Sequence, residues 1–314
     1  MSKYEEIRLN DVKTYPFSER KSKVKVTDFA TVFDPGAEFQ GFVDSLPHIL
    51  VGEDFRTLVA KIVEAAKKGK PVVVMMGAHV VKCGLSPVLI DLMKRKIISH
   101  IALNGGGSIH DFEIANWGQT SEDVAQGLQN GTFGMAEETG RLINQAIRQG
   151  EQEGLGYGEA LGRSLQGAPY TKKSILAVGY RMHIPVTVHV ALGTDIVHQH
   201  PSASGSAIGE TSYRDFRIFA HKISQIGQGG VVLNLGSAVI LPEVFLKALT
   251  VVRNLGYRVE QFTTANFDMI QHYRQRVNVL QRPTQSGGQA FGFTGHHEIM
   301  IPLLAAAVKL GLKQ

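Results

Sequence analysis

Residues 71–107 read PVVVMMGAHVVKCGLSPVLIDLMKRKIISHIALNGGG, and this stretch decides the fold. Val72–Met76 is a continuous apolar run, which is typical of a strand buried on both faces of a parallel sheet. Ile97–Leu103 is a second such run, and an asparagine and three glycines follow it. Between the two runs, apolar residues at helical spacing from Val88 to Met93 predict an amphipathic helix. The stretch therefore predicts a strand–helix–strand unit with parallel strands.

The same alternation continues along the chain. Further strands are predicted at Ile184–Val190, at Gly230–Leu235 and, from a weaker pattern, at Arg258–Thr263. Helical patterns lie around these strands, at Glu53–Lys70, Met135–Gln149, Lys172–Met182, Tyr213–Ile226, Pro242–Leu255 and Ile299–Leu312. Strands that alternate with helices of this length predict an α/β fold. We expect a single domain over residues 51–314, with a Rossmann-like parallel sheet flanked by helices on both faces.

Three stretches depart from the alternation. Residues 1–50 are irregular and contain prolines that interrupt any long element, so they predict an N-terminal arm or extension. Gly150–Gly167 holds 6 glycines in 18 residues and predicts a loop or a loosely packed helix between two halves. Met269–Gln289 is polar and predicts an excursion outside the sheet.

Composition excludes several classes of protein. The 34 glycines in 314 residues follow no Gly-X-Y period, so they indicate tight turns or backbone-lined sites and not collagen. Because Cys83 is the single cysteine of the sequence, a disulfide framework is excluded. Cys83 itself is predicted to serve as a small side chain in packing. The sequence has no apolar run long enough to span a bilayer and no signal-peptide pattern, so we expect a cytoplasmic protein without a membrane partner. The net charge of +5 comes from scattered basic residues, which predicts no nucleic-acid partner.

Short segments rich in glycine and small residues follow the predicted strands. Ligands bind beyond the carboxyl ends of the strands in an open parallel sheet. Backbone N–H groups at such turns can hold a phosphate without a charged side chain. The motif GxGxxG is absent, so the prediction of a ligand cleft rests on several turns that share one edge of the sheet. These turns are 77–84, 104–111, 191–195, 236–238 and 263–266.

The order of these turns resembles that of the deoxyhypusine synthase family, from about Glu53 to the C-terminus. Residues 104–107 are similar to the family's threonine-alanine-glycine-glycine turn. Asp195 and His200 keep the five-residue spacing of an aspartate and a histidine in another family motif. Leu235-Gly236-Ser237-Ala238 is similar to the end of its triple-glycine strand, and Thr264-Ala265 to its threonine-alanine pair.

The resemblance implies a Rossmann-like sheet that binds NAD, assembled as a homotetramer, a dimer of tight dimers with active sites at the dimer interface. The family oxidises spermidine by hydride transfer to NAD and then moves an aminobutyl group through an imine on a lysine. The resemblance also implies that an amine group of the polyamine binds near Asp195. It implies cofactor contacts from Ala78, His79, Lys82, Asn104, Gly105, Gly106, Gly236, Ser237, Thr264, Ala265 and His297.

The sequence also departs from the family pattern. It contains no lysine between Lys247 and Lys309, where the family carries its imine-forming lysine. The family's tryptophan-glycine-lysine is replaced by residues 294–297, and its paired glutamates by Ile109-His110. We therefore do not expect this chain to make deoxyhypusine, but to act by oxidation or group transfer on a small amine-containing or polar metabolite.

Histidines take the place of the missing groups. His79, His110, His198, His200, His296 and His297 fall in the strand-end segments or in the loop aligned with the family's active site. Imidazole beside carboxylate suits proton transfer near neutral pH, so His110, Asp111, Asp195 and His296 are the candidate catalytic residues. The same chemistry suits a divalent metal held by Asp195, His198, His200 and His296, with both imidazoles of His198-x-His200 on one side of an extended backbone. That metal set would suit a hydrolase or lyase; a third alternative is a non-catalytic nucleotide sensor, and the histidines could also be purely structural.

Overall fold

A computed structural model describes residues 3–313, which divide between Glu53 and Asp54 into two compact units. In the first unit, helix α1 (Phe39–Ser45) follows an irregular chain with two single 3-10 turns. The Thr31 N–H donates to the Ser45 carbonyl, and the Phe33 and Phe42 rings meet edge to face. Most apolar side chains before α1 are exposed. The chain before α1 is therefore irregular, and the assignment of residues 1–50 as an arm or extension stays a prediction.

The second unit is built on one six-stranded, all-parallel sheet with the order β3-β2-β1-β4-β5-β6. This confirms the predicted α/β class, and the strand order is that of a Rossmann sheet. The order reverses between β1 and β4, where the turns after the two strands diverge. The strands are β1 (Val72–Met76), β2 (His100–Asn104), β3 (Val186–His189), β4 (Val231–Leu235), β5 (Thr263–Asp268) and β6 (Gln289–Thr294).

Helices cover both faces of the sheet, because right-handed crossovers toward β3 and toward β6 place them on opposite sides. The side chains of Val73 and Met75 pack against one helical layer, which Phe219 and Phe245 help to form. No helix within residues 3–313 is long and apolar enough to cross a membrane. The remaining helices are α2 (Leu50–Lys67), α3 (Ala78–Lys82), α4 (Ser86–Lys94), α5 (Gly105–Trp117), α6 (Val124–Asn130), α7 (Glu137–Glu153), α8 (Tyr157–Ser164), α9 (Ile175–Met182), α10 (Gly205–Ile223), α11 (Ile240–Asn254) and α12 (His297–Gly311).

The two last strands differ from the sequence prediction. The predicted strand Arg258–Thr263 is wrong, because β5 begins at Thr263 and continues to Asp268. Its threonines and its asparagine are buried, and Asn266 is paired: it accepts from Asn234 Nδ2 and donates to Gln271. Strand β6 was not predicted. The polar stretch before β6 contains a π-helix at Gln275–Gln281 that packs against β5 and β6. It is therefore the crossover connection between these two strands and not an excursion outside the sheet.

The glycine-rich stretch 150–167 contains the end of α7, a turn at Gly154 and the tightly packed helix α8, and is not a loose connection. A Cβ atom at Gly162 would lie 2.6 Å from the Leu176 carbonyl oxygen, and one at Gly158 would overlap the Val186 carbonyl oxygen of strand β3. These glycines allow α8 to approach the backbone of its neighbours more closely than a larger residue would permit. Their excess in this stretch therefore reflects packing.

We expect Gly158→Ala to destabilise the protein by about 3 kcal/mol, since the added methyl group would meet a backbone carbonyl that cannot rotate away. Gly209→Ala in α10 is the matched control, because a Cβ atom there would meet no atom within 4 Å and the substitution removes a glycine from a helix. The control is expected to be neutral or slightly stabilising. Urea unfolding of both variants measures the difference. Equal midpoints for the two variants would contradict the close packing of α8.

Candidate functional site

A cavity of about 770 Å³ lies beyond the carboxyl ends of β2 and β3. Helix α5, which starts directly after β2, forms one wall, and the segment that leads into α7 and the turn after β3 complete it. The cavity is lined by Lys82, Gly106, Ile109, His110, Glu113, Trp117, Gln119, Thr120, Ser121, Glu122, Val124, Phe133, Ala136, Glu138, Thr139, Thr194, Asp195 and Ile196. It therefore brings together four of the residues predicted from the sequence: Lys82, Gly106, His110 and Asp195.

Asp195 reaches from the turn after β3 onto the N-terminus of α5. Its carboxylate accepts the Gly106 N–H, and a Cβ atom at Gly105 would overlap Oδ2. The Asn104 side chain accepts the Gly107 N–H at 3.0 Å. Burial raises the pKa of Asp195 to about 6, and Oδ2 has no hydrogen-bond partner among the described residues. The glycine turn thus holds the protein's own carboxylate, which changes its charge within the physiological range of pH.

His198 lies behind Asp195. Its Nδ1 accepts the N–H groups of Gly193 at 3.1 Å and Asp195 at 3.3 Å, so the proton of the neutral ring is on Nε2. Nε2 lies 3.9 Å from Asp195 Oδ2. Burial lowers the pKa of His198, which favours this neutral form. His198 Nε2 also has no hydrogen-bond partner among the described residues, so His198 lies beside the unpartnered oxygen of Asp195 without a hydrogen bond to it.

The predicted metal set is not brought together. Residues 196–199 form a 3-10 turn and not an extended segment, so His198 and His200 do not share a side. His200 Nε2 instead lies 2.7 Å from the Gly134 carbonyl, and its ring packs where a Cβ at Gly140 would be. His296 is exposed at the start of α12 and does not line the cavity. The expected arrangement of two imidazoles on one side is therefore wrong.

A hydrogen-bond chain fixes His110 on the cavity wall. His110 Nδ1 lies 2.7 Å from Thr120 Oγ1, and the Thr120 hydroxyl donates to Glu113. The hydroxyl therefore accepts from Nδ1–H, and the lone pair of the neutral imidazole is on Nε2. Thr139 donates to the other oxygen of Glu113 at 3.0 Å. Burial would raise the pKa of Glu113, but His110, whose Nδ1 lies 3.9 Å away, and hydrogen bonds from Thr120 and Thr139 outweigh it and lower the pKa. Glu113 stays ionised, and His110 is held as a candidate base.

Glu113 was missed in the sequence, although its spacing was a usable signal. It follows His110 by three residues in a predicted ligand-lining helix, and side chains at this spacing share one face. Glu122 and Glu138 also line the cavity, and neither was among the predicted site residues. Trp117 closes the far end of α5 and is 39% exposed.

The prediction of a catalytic Asp111 is wrong. Its side chain is fully buried and accepts from the Ser174 hydroxyl at 2.5 Å, from Ile175 N at 2.8 Å and from Leu176 N at 3.0 Å. Burial raises the pKa of Asp111 to about 6 even with these donors. A carboxylate on the first N–H groups of α9 satisfies groups that the helix cannot pair internally. Asp111 therefore anchors α9 to α5.

The predicted cofactor residues at the first and fourth strands meet at the point where the strand order reverses. A Cβ at Gly77 would overlap the Gly236 carbonyl oxygen, and one at Gly236, whose φ is +67°, would lie 2.6 Å from the His297 ring. His297 is buried; its Nε2 lies 3.0 Å from the Phe267 carbonyl, and its Nδ1 has no partner among the described residues. Ala78 follows Gly77 at the start of α3, and a Cβ at Gly106 would lie 3.4 Å from its Cβ. The cavity and this crevice therefore adjoin.

Other predicted cofactor residues lie elsewhere. Thr264 and Ala265 are buried inside β5 and do not follow it, because the strand begins five residues later than predicted. The expectation that they lie in a strand-end turn is wrong. The Ser237 hydroxyl accepts the Leu241 N–H at 3.2 Å and so holds the start of α11. His79 is exposed on α3, with its ring centroid 5.9 Å from that of His297.

Comparison with known proteins identifies the fold. No protein-family model and no curated protein matches the chain. A protein of Entamoeba histolytica assigned as a deoxyhypusine synthase matches with a TM-score of 0.50 and 13% identity, over 88% of this chain and 95% of that chain. An arginine dihydrolase from the ornithine–ammonia cycle of cyanobacteria matches with a TM-score of 0.51 and 14% identity, over 83% of this chain and 33% of that chain. This chain thus spans about a third of the dihydrolase. The second unit has the deoxyhypusine synthase-like fold that its sequence resembles.

We expect Asp111→Asn to cost about 2 kcal/mol of stability, because it replaces one of the two carboxylate oxygens that accept hydrogen bonds by an amide nitrogen that cannot accept them. His110→Gln, one position earlier and on the cavity wall, is expected to leave stability nearly unchanged. Urea unfolding tests both. If Asp111→Asn had wild-type stability but no longer bound ligand, Asp111 would have to be assigned to the active site again.

Proposed function

We propose that the protein is an NAD-dependent enzyme that acts by oxidation or group transfer on a small amine-containing metabolite. The observation that carries this proposal is the acidic cavity beside the crevice of a Rossmann-order sheet. Its walls carry the carboxyl groups of Glu113, Glu122, Glu138 and Asp195, against one lysine, Lys82, and one neutral or cationic histidine, His110.

The charge of the cavity favours a cationic ligand. Glu113 is ionised because two hydroxyl donors and the nearby His110 lower its pKa, and Asp195 is ionised above its pKa of about 6. The Asp195 oxygen Oδ2 has no partner among the described residues and would accept a hydrogen bond from an ammonium group. A buried acceptor without a donor is costly, so such a ligand would remove this cost when it binds.

The turns after β1 and β4 are the proposed place for the cofactor. They meet so closely that a Cβ atom at Gly77 or Gly236 would overlap the Gly236 carbonyl oxygen or the His297 ring, and the buried Nδ1 of His297 is an acceptor without a partner among the described residues. Backbone at such a crossover is where dinucleotides bind in Rossmann sheets. NAD bound there would accept a hydride from a carbon that carries the amine nitrogen.

The chain's own residues would hold the amine and move its proton. Asp195 would bind the ammonium group, beside the ring of His198. Nε2 of His110 would take the proton that the nitrogen loses, while Thr120 and Glu113 stabilise the imidazolium. Oxidation to an imine removes one hydride from carbon and one proton from nitrogen, so these groups account for both.

Three further expectations remain proposals. We propose a cytoplasmic location and a homotetramer, both of which rest on the sequence patterns and the family resemblance. Deoxyhypusine itself is not the proposed product, because residues 248–308 contain no lysine to carry an imine. A nucleotide sensor would bind NAD and amine without turnover, which separates it from an enzyme.

We expect NAD⁺ to raise the melting temperature by a few degrees, since a ligand at 100 times its Kd stabilises the folded state by about 2.7 kcal/mol. Ala78→Asp should weaken NAD⁺ at least about tenfold, because it places a negative charge beside the crevice where the pyrophosphate would lie. Ala125→Asp, in the first turn of α6, adds the same charge elsewhere and should bind normally. Absence of a shift at millimolar NAD⁺ would end the cofactor proposal.

We expect spermidine, used as a probe amine, to change the fluorescence of Trp117, the single tryptophan of the chain. Affinity should fall below pH 6, because Asp195 has a raised pKa of about 6 and loses its charge as the pH decreases. Asp195→Asn should lower affinity about tenfold at pH 8 and remove that part of the pH dependence. Glu137→Gln is the control, since Glu137 is exposed and lies next to a lining residue without lining the cavity itself. Unchanged binding in Asp195→Asn would contradict the assignment.

A further inference from the structure

Three metal-ligating side chains converge outside the cavity. His79 and Cys83 are four residues apart across the short helix α3, so their side chains share one face. Glu298 lies in the first turn of α12, which packs against α4. One ligating atom from each of the three residues lies within 4.8 Å of the others. Among residues 3–313, this is the set of three or more such side chains close enough to share one ion.

The donor set has the composition of a transition-metal site. It offers an imidazole nitrogen, a thiol sulfur and a carboxylate oxygen, a combination that suits zinc better than calcium or magnesium. Zinc–ligand bonds of about 2.0–2.3 Å at tetrahedral angles put ligand atoms roughly 3.5 Å apart. Separations of up to 4.8 Å need a contraction of at most about 1.3 Å. His79 and Glu298 are exposed, so their side chains can make this movement.

The contacts within the cluster show that these groups already interact. The Cys83 thiol hydrogen-bonds to Glu298. Partial burial, and then the negative charge of Glu298, raise the pKa of Cys83. The thiol proton therefore lies between Cys83 and Glu298, at the position that a cation would take.

We propose that His79, Cys83 and Glu298 bind one zinc-class divalent cation with a fourth position open to water or to a small ligand. Binding breaks the Cys83 S–H bond, forms a metal–thiolate bond and releases one proton to solvent. No electron is transferred. Three protein ligands with one open position are the arrangement of catalytic and not of closed structural zinc sites.

The neighbouring residues support a defined geometry. The His79 ring packs against the His297 ring, which is itself fixed by its bond to the Phe267 carbonyl. Lys82, the adjacent cation on α3, acts in the opposite direction to Glu298 and lowers the pKa of Cys83. The site is separate from the predicted metal set, with which it shares no residue.

Cobalt(II) added to the chelator-treated, reduced full chain tests the site in the absence of NAD⁺ and amine. Because Cys83 is the only cysteine in the sequence, a thiolate-to-cobalt charge-transfer band identifies this site alone. We expect one equivalent of cobalt to produce the band, one proton to be released per ion, and zinc to displace the cobalt. Affinity should increase with pH, since the metal competes with the thiol proton.

Variants separate the site from adventitious binding. Cys83→Ser should abolish the band, and Glu298→Gln and His79→Gln should each weaken cobalt binding at least about tenfold. His221→Gln, an exposed histidine on α10, is the control and should bind as wild type. Circular dichroism of each variant checks that it is folded. Absence of the band in wild type, or full affinity in folded Glu298→Gln and His79→Gln, would overturn the site whether or not NAD⁺ binds.

Discussion

The carboxylate of Asp195 on the N-terminus of α5 joins the two strand ends on which the cavity depends. It accepts the Gly106 N–H, and it lies so close to Gly105 that any side chain there would overlap it. A carboxylate at this place satisfies a helix N–H and is favoured by the helix dipole. The turn that looks in sequence like a phosphate cradle is therefore occupied by the protein's own anion. This interaction fixes both the geometry and the charge of the cavity.

Sequence patterns predicted the central strands because burial on both faces requires uninterrupted apolar runs. β1 and β4 fulfil this requirement. β5 contains threonines and an asparagine, which look like a turn in isolation but are buried and, for Asn266, paired across strands. β6 is an edge strand with alternating exposure. The sequence patterns did not predict either strand, because the partners that hydrogen-bond to polar residues in a sheet are distant in sequence.

The sequence predicted candidate residues where the chemical type of the side chain was sufficient to identify them. It missed those whose role depends on the direction in which the side chain points. Neighbouring residues on a helix point about 100° apart, so His110 and Asp111 cannot both face the cavity. His110 faces it, with Glu113 three residues on, whereas Asp111 faces α9. The pairing of Cys83 with His79 follows the same rule, since a spacing of four residues puts both on one side of α3. The spacing of two residues on a helix therefore decides whether their side chains lie on one face and can act together.

The two central carboxylates of the cavity differ in how they are satisfied, and this difference gives the site its chemistry. Glu113 accepts hydrogen bonds from two hydroxyl groups and lies beside His110, so it remains charged and acts through His110. Asp195 receives one backbone donor and keeps one oxygen without a partner, so burial raises its pKa to about 6. An ammonium group would supply the missing donor and the compensating charge at once, and by linkage would hold Asp195 ionised at a lower pH. The incomplete satisfaction of Asp195 is therefore what selects a cationic ligand.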